Sequence, residues 1–337
     1  ASIPRLPARP AASALEERQP SPRPGEIRRD IRLVRLILHL AVLADGAHKP
    51  LGHHAFHRAR HQEWLDSHVD QAREGARRVI GVQGGQHQVT GERGLNGDLR
   101  GFEVTDFAEP WREHETILLL HGNAESGEAY YAWMPELSRN YRVVRPDMRG
   151  FGRSTPMPRD HAWSLDRIVD DFIAVMDHLK IDRFYLVGAK VGGTMALHLA
   201  ARHPSRVKTV TVLSSPTRGE SAGDRYRAWV DVIEKHGVVG WARDTMAKRL
   251  GATFPKEGIE WWINFMGRTA SSTQLGFIGA VPKVDIMPEL PTIQCPAQVI
   301  TTQDNPLYPV DVVRTWQQKM PRSELLVMPG ESYHVAA

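Results

Sequence analysis

Residues 184–193 read FYLVGAKVGG, an apolar run followed by a Gly188-x-Lys190-x-Gly192 turn and then by helix-like spacing. A short apolar run that ends in glycines predicts a buried strand turning sharply into a helix. Such a turn needs small residues two positions before and after its apex, because side chains there would collide with neighbouring backbone. Gly188 and Gly192 meet that requirement. The apex is Lys190, so the chemistry of this turn depends on an amine.

Apolar runs on both sides of this segment predict further strands, at residues 115–120, 141–145, 207–213, 298–302 and 324–328. Residues 164–180 and 191–201 carry apolar side chains at the 3.6-residue spacing of helices. Strands that alternate with helices predict an α/β fold, with a mostly parallel sheet sandwiched by helices. Residues 215–290 interrupt the alternation with Trp and Phe at helix-like spacing, which predicts a helical cap insertion.

The composition divides the 337 residues into unequal parts. Residues 1–110 contain no Met, Tyr or Cys, and 15 Arg against one Lys. We therefore expect residues 1–100 to be a poorly ordered or weakly helical extension, and we hypothesise that it is a translation of DNA upstream of the natural start. An N-terminal peptide of the native protein that begins before residue 95 would contradict that hypothesis. The remainder is predicted as a core of residues 101–214 and 291–337 with a cap of residues 215–290.

Composition also bounds the partners of the chain. A formal net charge of +4 is too small at this length to indicate nucleic-acid binding. The longest apolar run, residues 33–42, is shorter than the ~20 residues that span a bilayer, so no membrane partner is predicted. The single Cys295 excludes a disulfide framework, which favours a cytoplasmic location. His53, His57 and His61 would share a helix face, but no pair of carboxylates supports them and no metal site is predicted.

Four motifs occur in a fixed order between Gly101 and the end of the chain: His121-Gly122 after a strand, the loop at residues 147–154, the Gly-x-Lys-x-Gly turn, and a Pro-Gly turn that leads to His334. In this order they resemble the α/β-hydrolase fold superfamily, in the capped group that includes enol-lactonases, C–C bond hydrolases and small-ester esterases. The resemblance implies a hydrolase with a nucleophile elbow, whereas a shared fold says little about the substrate.

The resemblance also assigns roles to single positions. It places the general base at His334, and the oxyanion donors at the backbone N–H groups of Asn123 and Val191. The nucleophilic serine is replaced by Lys190, and the position of the acid falls on Asn305, with Asp304 one residue early. An Asn can orient an imidazole by hydrogen bonding, but it cannot stabilise an imidazolium by charge.

Three further residues are candidates for lining the substrate pocket. Ser214 follows a strand at the same rim, and Trp261 and Trp262 lie in the predicted cap. Each residue also has a purely structural interpretation. Ser214 can stabilise the loop that leads into residues 215–290, and Trp261 and Trp262 can be packing residues of the cap.

A lysine at the elbow faces the positive end of a helix dipole, and burial beneath a cap disfavours its charge further. Both effects favour the neutral amine, which acts as a base or a nucleophile. Neutral Lys190 could take a proton from carbon or water, or add to a carbonyl as a Schiff base. Acyl transfer to it is unproductive, because an acyl-lysine is an amide. The alternative is that Lys190 only fills a dead site.

The sequence therefore predicts an enzyme that acts on a small ester, lactone or β-dicarbonyl compound, a hydrolase with an atypical Lys–His site. A water activated by His334 could hydrolyse the substrate without an acyl-lysine. No cofactor and no metal are predicted, the partner is a small carbonyl substrate, and a homodimer is left open. Two alternatives belong to other classes: a non-catalytic pseudo-hydrolase that binds a ligand, and a lyase or decarboxylase that works through an imine on Lys190.

Overall fold

The computed structural model describes residues 81–82, 85–93, 99–109, 111, 113–219 and 223–334. Within them one sheet holds nine strands in the order β1-β2-β3-β5-β4-β6-β7-β8-β9. Their bounds are β1 Gly81–Val82, β2 Gly85–Arg93, β3 Leu99–Asp106, β4 Thr116–Leu120, β5 Arg142–Pro146, β6 Phe184–Ala189, β7 Val207–Leu213, β8 Ala297–Thr302 and β9 Ser323–Met328.

The sheet is parallel from β5 to β9 and antiparallel from β1 to β5. The central strands β4, β6 and β8 are buried at every position, which explains why they are short, nearly continuous apolar runs. The predicted α/β fold with a mostly parallel sheet is confirmed. The carboxyl ends of β4, β6, β8 and β9 lie at the same edge of the sheet, where ligands bind in open α/β folds.

Seven α-helices accompany the described strands. They are α1 Met134–Leu137, α2 Leu165–His178, α3 Val191–Arg202, α4 Gly223–Leu250, α5 Lys256–Gly267, α6 Ser271–Ala280 and α7 Val310–Gln317, with short 3₁₀ segments at Gly127–Trp133, Val281–Lys283 and Leu290–Thr292. The apolar stripe predicted for residues 164–180 is buried on α2, and the side chain of Ser164, which precedes the helix, makes no capping hydrogen bond.

The core lies on both faces of the sheet, because successive side chains of a strand point to opposite faces. Leu118 and Leu186 pack with Phe172 of α2 on one face. Their neighbours in sequence, such as Ile117 and Tyr185, pack on the other face.

Helices α4 to α6 lie within the segment predicted as the cap, residues 215–290, which is called the cap below. They bury a cluster of their own that includes Trp241, Trp262 and Met266. Ala124, in the loop after β4, belongs to the same cluster, so the cap rests directly on that loop. Gly237 has φ 69°, a left-handed conformation that favours glycine and kinks α4.

The expectation of poor order through residue 100 does not hold for Gly85–Arg93. These residues form β2 and pair with β3 from Gln86 opposite Asp106 to Arg93 opposite Leu99. Backbone hydrogen bonds hold this strand in the antiparallel part of the sheet, so it needs no continuous apolar run. Residues 1–80 lie outside the described part of the chain. The hypothesis of a non-native segment concerns mainly these residues, and it stays a hypothesis.

No described helix combines the length and the apolar character that crossing a bilayer would require.

Candidate active site

Lys190 stands at the apex of the turn between β6 and α3. Its backbone has φ 57° and ψ −126°, a left-handed conformation that a side chain rarely adopts. The Lys190 N–H donates to the Leu213 carbonyl at 2.8 Å, and its carbonyl accepts from Gly193 N at 3.0 Å. These bonds hold the strained turn and aim the Lys190 side chain at the carboxyl edge of the sheet.

The glycines of the turn have no room for a side chain. A Cβ at Gly188 would overlap the backbone of Gly192, and a Cβ at Gly192 would overlap the carbonyl oxygens of Leu120 and His121. The close approach of this turn to β4 therefore explains the Gly-x-Lys-x-Gly spacing.

Lys190 is only 4% exposed, and its side chain has three close neighbours. Its Nζ forms an ion pair with the Glu125 carboxylate. It also lies 3.1 Å from His334 Nδ1 and 5.2 Å from the ring centroid of Trp262. Burial lowers the pKa of Lys190, and the Glu125 carboxylate opposes part of that effect.

Glu125 is a site residue that the sequence analysis missed. It is buried, and one carboxylate oxygen accepts from Gly122 N at 2.9 Å while the other meets Lys190. Its only sequence signal is indirect: a buried lysine needs a nearby counter-charge, and Glu125 follows His121-Gly122 in the loop that faces the elbow.

His334 reaches the site from the segment after β9. Its backbone N–H donates to the Arg249 carbonyl at 3.2 Å, and its ring packs edge-on against Trp262 at 4.9 Å between centroids. Burial lowers the pKa of His334 well below its usual value, and the nearby charges of Lys190 and Arg249 lower it further. Among the described residues its buried Nε2 has no hydrogen-bond partner. His334 is therefore a neutral imidazole whose Nδ1 faces Lys190.

The expected orientation of His334 by Asn305 is wrong. The Asn305 carbonyl accepts from Leu307 N and Tyr308 N at 3.0 Å each, and its amide donates to Ser214 Oγ at 3.2 Å. An Asn side chain that bonds its own loop backbone is fixed there, and it cannot turn to His334. Asp304 is exposed and makes no hydrogen bond to His334 either. In the described site no carboxylate contacts His334. The carboxylate of the site, Glu125, pairs with Lys190 instead.

A loop after β4 carries the first predicted oxyanion donor. His121 Nε2 accepts from Met148 N at 2.9 Å and its Nδ1 donates to the Gly122 carbonyl at 2.8 Å, so this buried imidazole is neutral and fixes the loop. Asn123 follows, and Val191, the second predicted donor, begins α3. The N–H groups of a first helical turn have no acceptor within the helix. Asn123 and Val191 both line the cavity that Lys190 and Glu125 line.

The pocket residues predicted from the sequence divide into two groups. Trp262 contacts both Lys190 and His334. Trp261 instead stacks on Phe265 with ring centroids 5.0 Å apart, and it lies against Tyr131. Ser214 is buried, has φ 46°, and gives its Oγ to Asn305. Neither Trp261 nor Ser214 is among the residues that line the cavity beside Lys190, and their place in the substrate pocket stays a prediction.

The cavity beside Lys190 has a volume of about 50 Å³. Its far wall comes from the cap and the loops after β8 and β9, with Arg225, Tyr226, Trp229, Arg249, Tyr308 and Tyr333. Burial raises the pKa of each of the three tyrosines, which stay uncharged at neutral pH. A cleft of about 900 Å³ between cap and core adjoins it, since Val191, Pro216, Phe277 and Val281 line both.

Within the part of the chain that the structure describes, no group of three or more His, Cys, Asp or Glu side chains is arranged to hold a metal ion. His53, His57 and His61 lie outside that part.

The family of the chain follows from this architecture together with the sequence. The family model for the alpha/beta hydrolase fold matches residues 115–336, which is more than half of the chain. The chain belongs to the α/β hydrolase fold family. Among solved structures, the enol-lactonase from Burkholderia xenovorans LB400 shares 21% identity at a TM-score of 0.62, over 72% of this chain and 91% of that one. A thermophilic esterase from Thermogutta terrifontis shares 22% identity at a TM-score of 0.64, over 73% and 92%. At these identities the likeness concerns the fold.

Similar sequences carry the names of several hydrolases. A 2-hydroxymuconate semialdehyde hydrolase from Pseudomonas sp. (strain CF600) is 40% identical over 102 residues, which are 29% of this chain and 36% of that enzyme. A protein of Caulobacter sp. (strain K31) named as a carbamate hydrolase is 27% identical over 68% of this chain and 88% of its own length. The chain thus spans about a third of the first relative and most of the second.

Proposed function

We propose that this protein is a hydrolase that cleaves a small ester, lactone or β-dicarbonyl compound, with Lys190 as the general base in place of a serine nucleophile. The observation that carries the proposal is the position of a buried Lys190 amine at the elbow, between Glu125 and His334. The names of the relatives support hydrolysis, although they cover several bond types.

The Glu125–Lys190 pair supplies the base. Burial lowers the pKa of Lys190, so the amine can lose one proton to water and remain hydrogen-bonded to the Glu125 carboxylate. The neutral amine then takes a proton from a water molecule in the cavity, while the water oxygen bonds to the substrate carbonyl carbon. No acyl-lysine forms, so no amide has to be broken afterwards.

Two other groups complete the reaction. The negative charge that develops on the carbonyl oxygen meets the N–H groups of Asn123 and Val191, which line the same cavity. When the bond to the leaving group breaks, His334 gives its Nε2 proton to the leaving atom and takes one from Lys190 on Nδ1, 3.1 Å away. Loss of the Nδ1 proton to water and uptake of another at Nε2 then restore the starting tautomer of His334. Lys190 then returns to its starting form.

A second candidate is a lyase that works through an imine. It is favoured by the same contact, because Glu125 can remove a proton from Lys190 and leave an amine where the fold usually presents its nucleophile. The amine would add to a ketone carbonyl carbon with loss of water, and the imine would then promote decarboxylation or C–C cleavage. Borohydride reduces such an imine to a stable secondary amine, which mass spectrometry of the peptide with Lys190 detects.

Turnover of a panel of short-chain esters, lactones and β-diketones by the full chain tests the proposal. We expect the parent to be active and Lys190→Ala to lose roughly 10²- to 10⁴-fold in kcat/KM, the contribution of a positioned general base. Lys190→Ser should be no more active than Lys190→Ala, because His334 has no carboxylate partner. Lys248→Ala, which changes an exposed lysine of the cap, is the matched control and should leave turnover unchanged.

An inert parent together with a gain of activity in Lys190→Ser would overturn the proposal. The chain would then be a ligand-binding pseudo-hydrolase whose nucleophile has been lost. Saturable binding of a carbonyl compound without turnover would support the same conclusion.

A further inference from the structure

The cavity beside Lys190 holds an excess of positive charge. Lys190, Arg225 and Arg249 line it, against the single carboxylate of Glu125. Both oxygens of Glu125 are already engaged, one by Lys190 and the other by Gly122 N. The two arginines therefore line this cavity with no free counter-charge among the described residues.

Arg249 is the more deeply placed of the two and is 8% exposed. Its guanidinium lies over Trp241 and Trp229, at 4.5 and 5.3 Å from their ring centroids. No carboxylate of the described residues lies within 4.0 Å of it. Burial lowers the pKa of Arg249 to about 10, which reports the cost of keeping this cation away from water.

Arg225 continues the same wall from the start of α4. Its guanidinium lies 5.7 Å from the ring centroid of Trp229, and its Nε is buried without a hydrogen-bond partner in the described part of the chain. Trp229 thus lies beside both guanidinium groups, which face one cavity.

The backbone of Arg249 is fixed to the catalytic segment. Its carbonyl accepts from Tyr333 N at 2.8 Å and from His334 N at 3.2 Å. These bonds fix the Arg249 backbone relative to His334, and the contacts with Trp229 and Trp241 place its guanidinium. An unpaired buried guanidinium presents a planar fork of donors that fits a carboxylate in bidentate fashion.

We propose that Arg249, assisted by Arg225, binds a carboxylate of the substrate, so that the site selects small carbonyl compounds that carry a carboxylate close to the carbonyl group, such as 3-oxo acids. The cavity of about 50 Å³ exceeds the ~10–15 Å³ that one water needs, and it accepts a carboxylate with only a few more atoms. The identification of the carbonyl half of the substrate rests on the proposed function; the anion site does not.

Binding of acetoacetate and of its uncharged isostere acetoacetamide, measured by calorimetry on the full chain, tests the anion site without any turnover. We expect the parent to prefer acetoacetate by about tenfold or more, the effect of one charge-assisted hydrogen-bonded pair. Arg249→Met should reduce that preference to less than about twofold. Arg243→Met, an exposed arginine on the same helix, is the matched control and should keep it.

Equal affinity for the two compounds in the parent, or an unchanged preference in Arg249→Met, would overturn the inference. The melting temperature checks the fold of the variant: removal of an unpaired buried cation should leave it unchanged or raise it. If Arg249→Met does not fold, the same two affinities are measured on Arg225→Met. This variant should weaken acetoacetate binding more than acetoacetamide binding. The double variant Lys190→Met/Glu125→Gln removes both charges of that pair and should lose turnover but keep the carboxylate preference, so failure of the turnover test and failure of this one are distinguishable.

Discussion

Replacing Lys190 with methionine should lower the free energy of unfolding by about 3–5 kcal/mol, because Glu125 would keep a buried charge without a counter-ion. Methionine has a side chain of similar length, and it imposes the same left-handed strain at φ 57° that lysine does. The change therefore reports on charge and not on the backbone of the elbow. Urea unfolding of the parent and the variant at pH 7 measures it.

The double variant Lys190→Met/Glu125→Gln is the control for that prediction. It removes both charges, and the glutamine carbonyl can still accept from Gly122 N. We expect it to recover most of the lost stability, since replacing both members of a buried ion pair is often neutral. A double variant as unstable as Lys190→Met would show that the ion pair in the structure has no energetic weight.

Gly192→Ala should destabilise the fold by about 3 kcal/mol or more, at the upper end for overpacking a buried site. The added Cβ would overlap the carbonyl oxygens of Leu120 and His121, at the end of a central strand that cannot move aside. The loss should appear both as a lower urea midpoint and as reduced yield of soluble protein.

Gly279→Ala is the matched control for the elbow. Gly279 lies within α6, its φ is not positive, and a Cβ there meets no atom within 4 Å. Alanine has the higher helix propensity, so this variant should be as stable as the parent or more stable by ~1 kcal/mol. Equal stability of Gly192→Ala and Gly279→Ala would contradict the close packing of the elbow against β4.

The central sheet could be predicted because its signals are local. The apolar runs of β4, β6, β7 and β8 and the glycine spacing of the elbow each lie within a few residues. Strand β2 could not be predicted, because its pairing with β3 is made by the backbone and leaves little pattern in its sequence.

The site was predicted only in part, for a similar reason. His334 follows a strand end in the fixed order of motifs, so its place beside Lys190 could be expected from the sequence. The oxyanion roles of Asn123 and Val191 stay predictions. The contact of Glu125 with Lys190 joins residues 65 positions apart, and no local pattern announces it. Asn305 was expected to orient His334 from the order of motifs. Its side chain instead accepts hydrogen bonds from Leu307 N and Tyr308 N in its own turn, and these local bonds determine its direction.

The pH dependence of kcat/KM for an active ester, in the parent and in Glu125→Gln, tests the role of Lys190 most directly. If Lys190 is the base, activity rises with pH as the amine loses its proton, with a midpoint below the ordinary lysine value of 10.5. Because Glu125 raises the pKa of Lys190, its replacement should move that midpoint to lower pH. A midpoint that stays in place in Glu125→Gln, or a rising limb that persists in Lys190→Ala, would contradict the account.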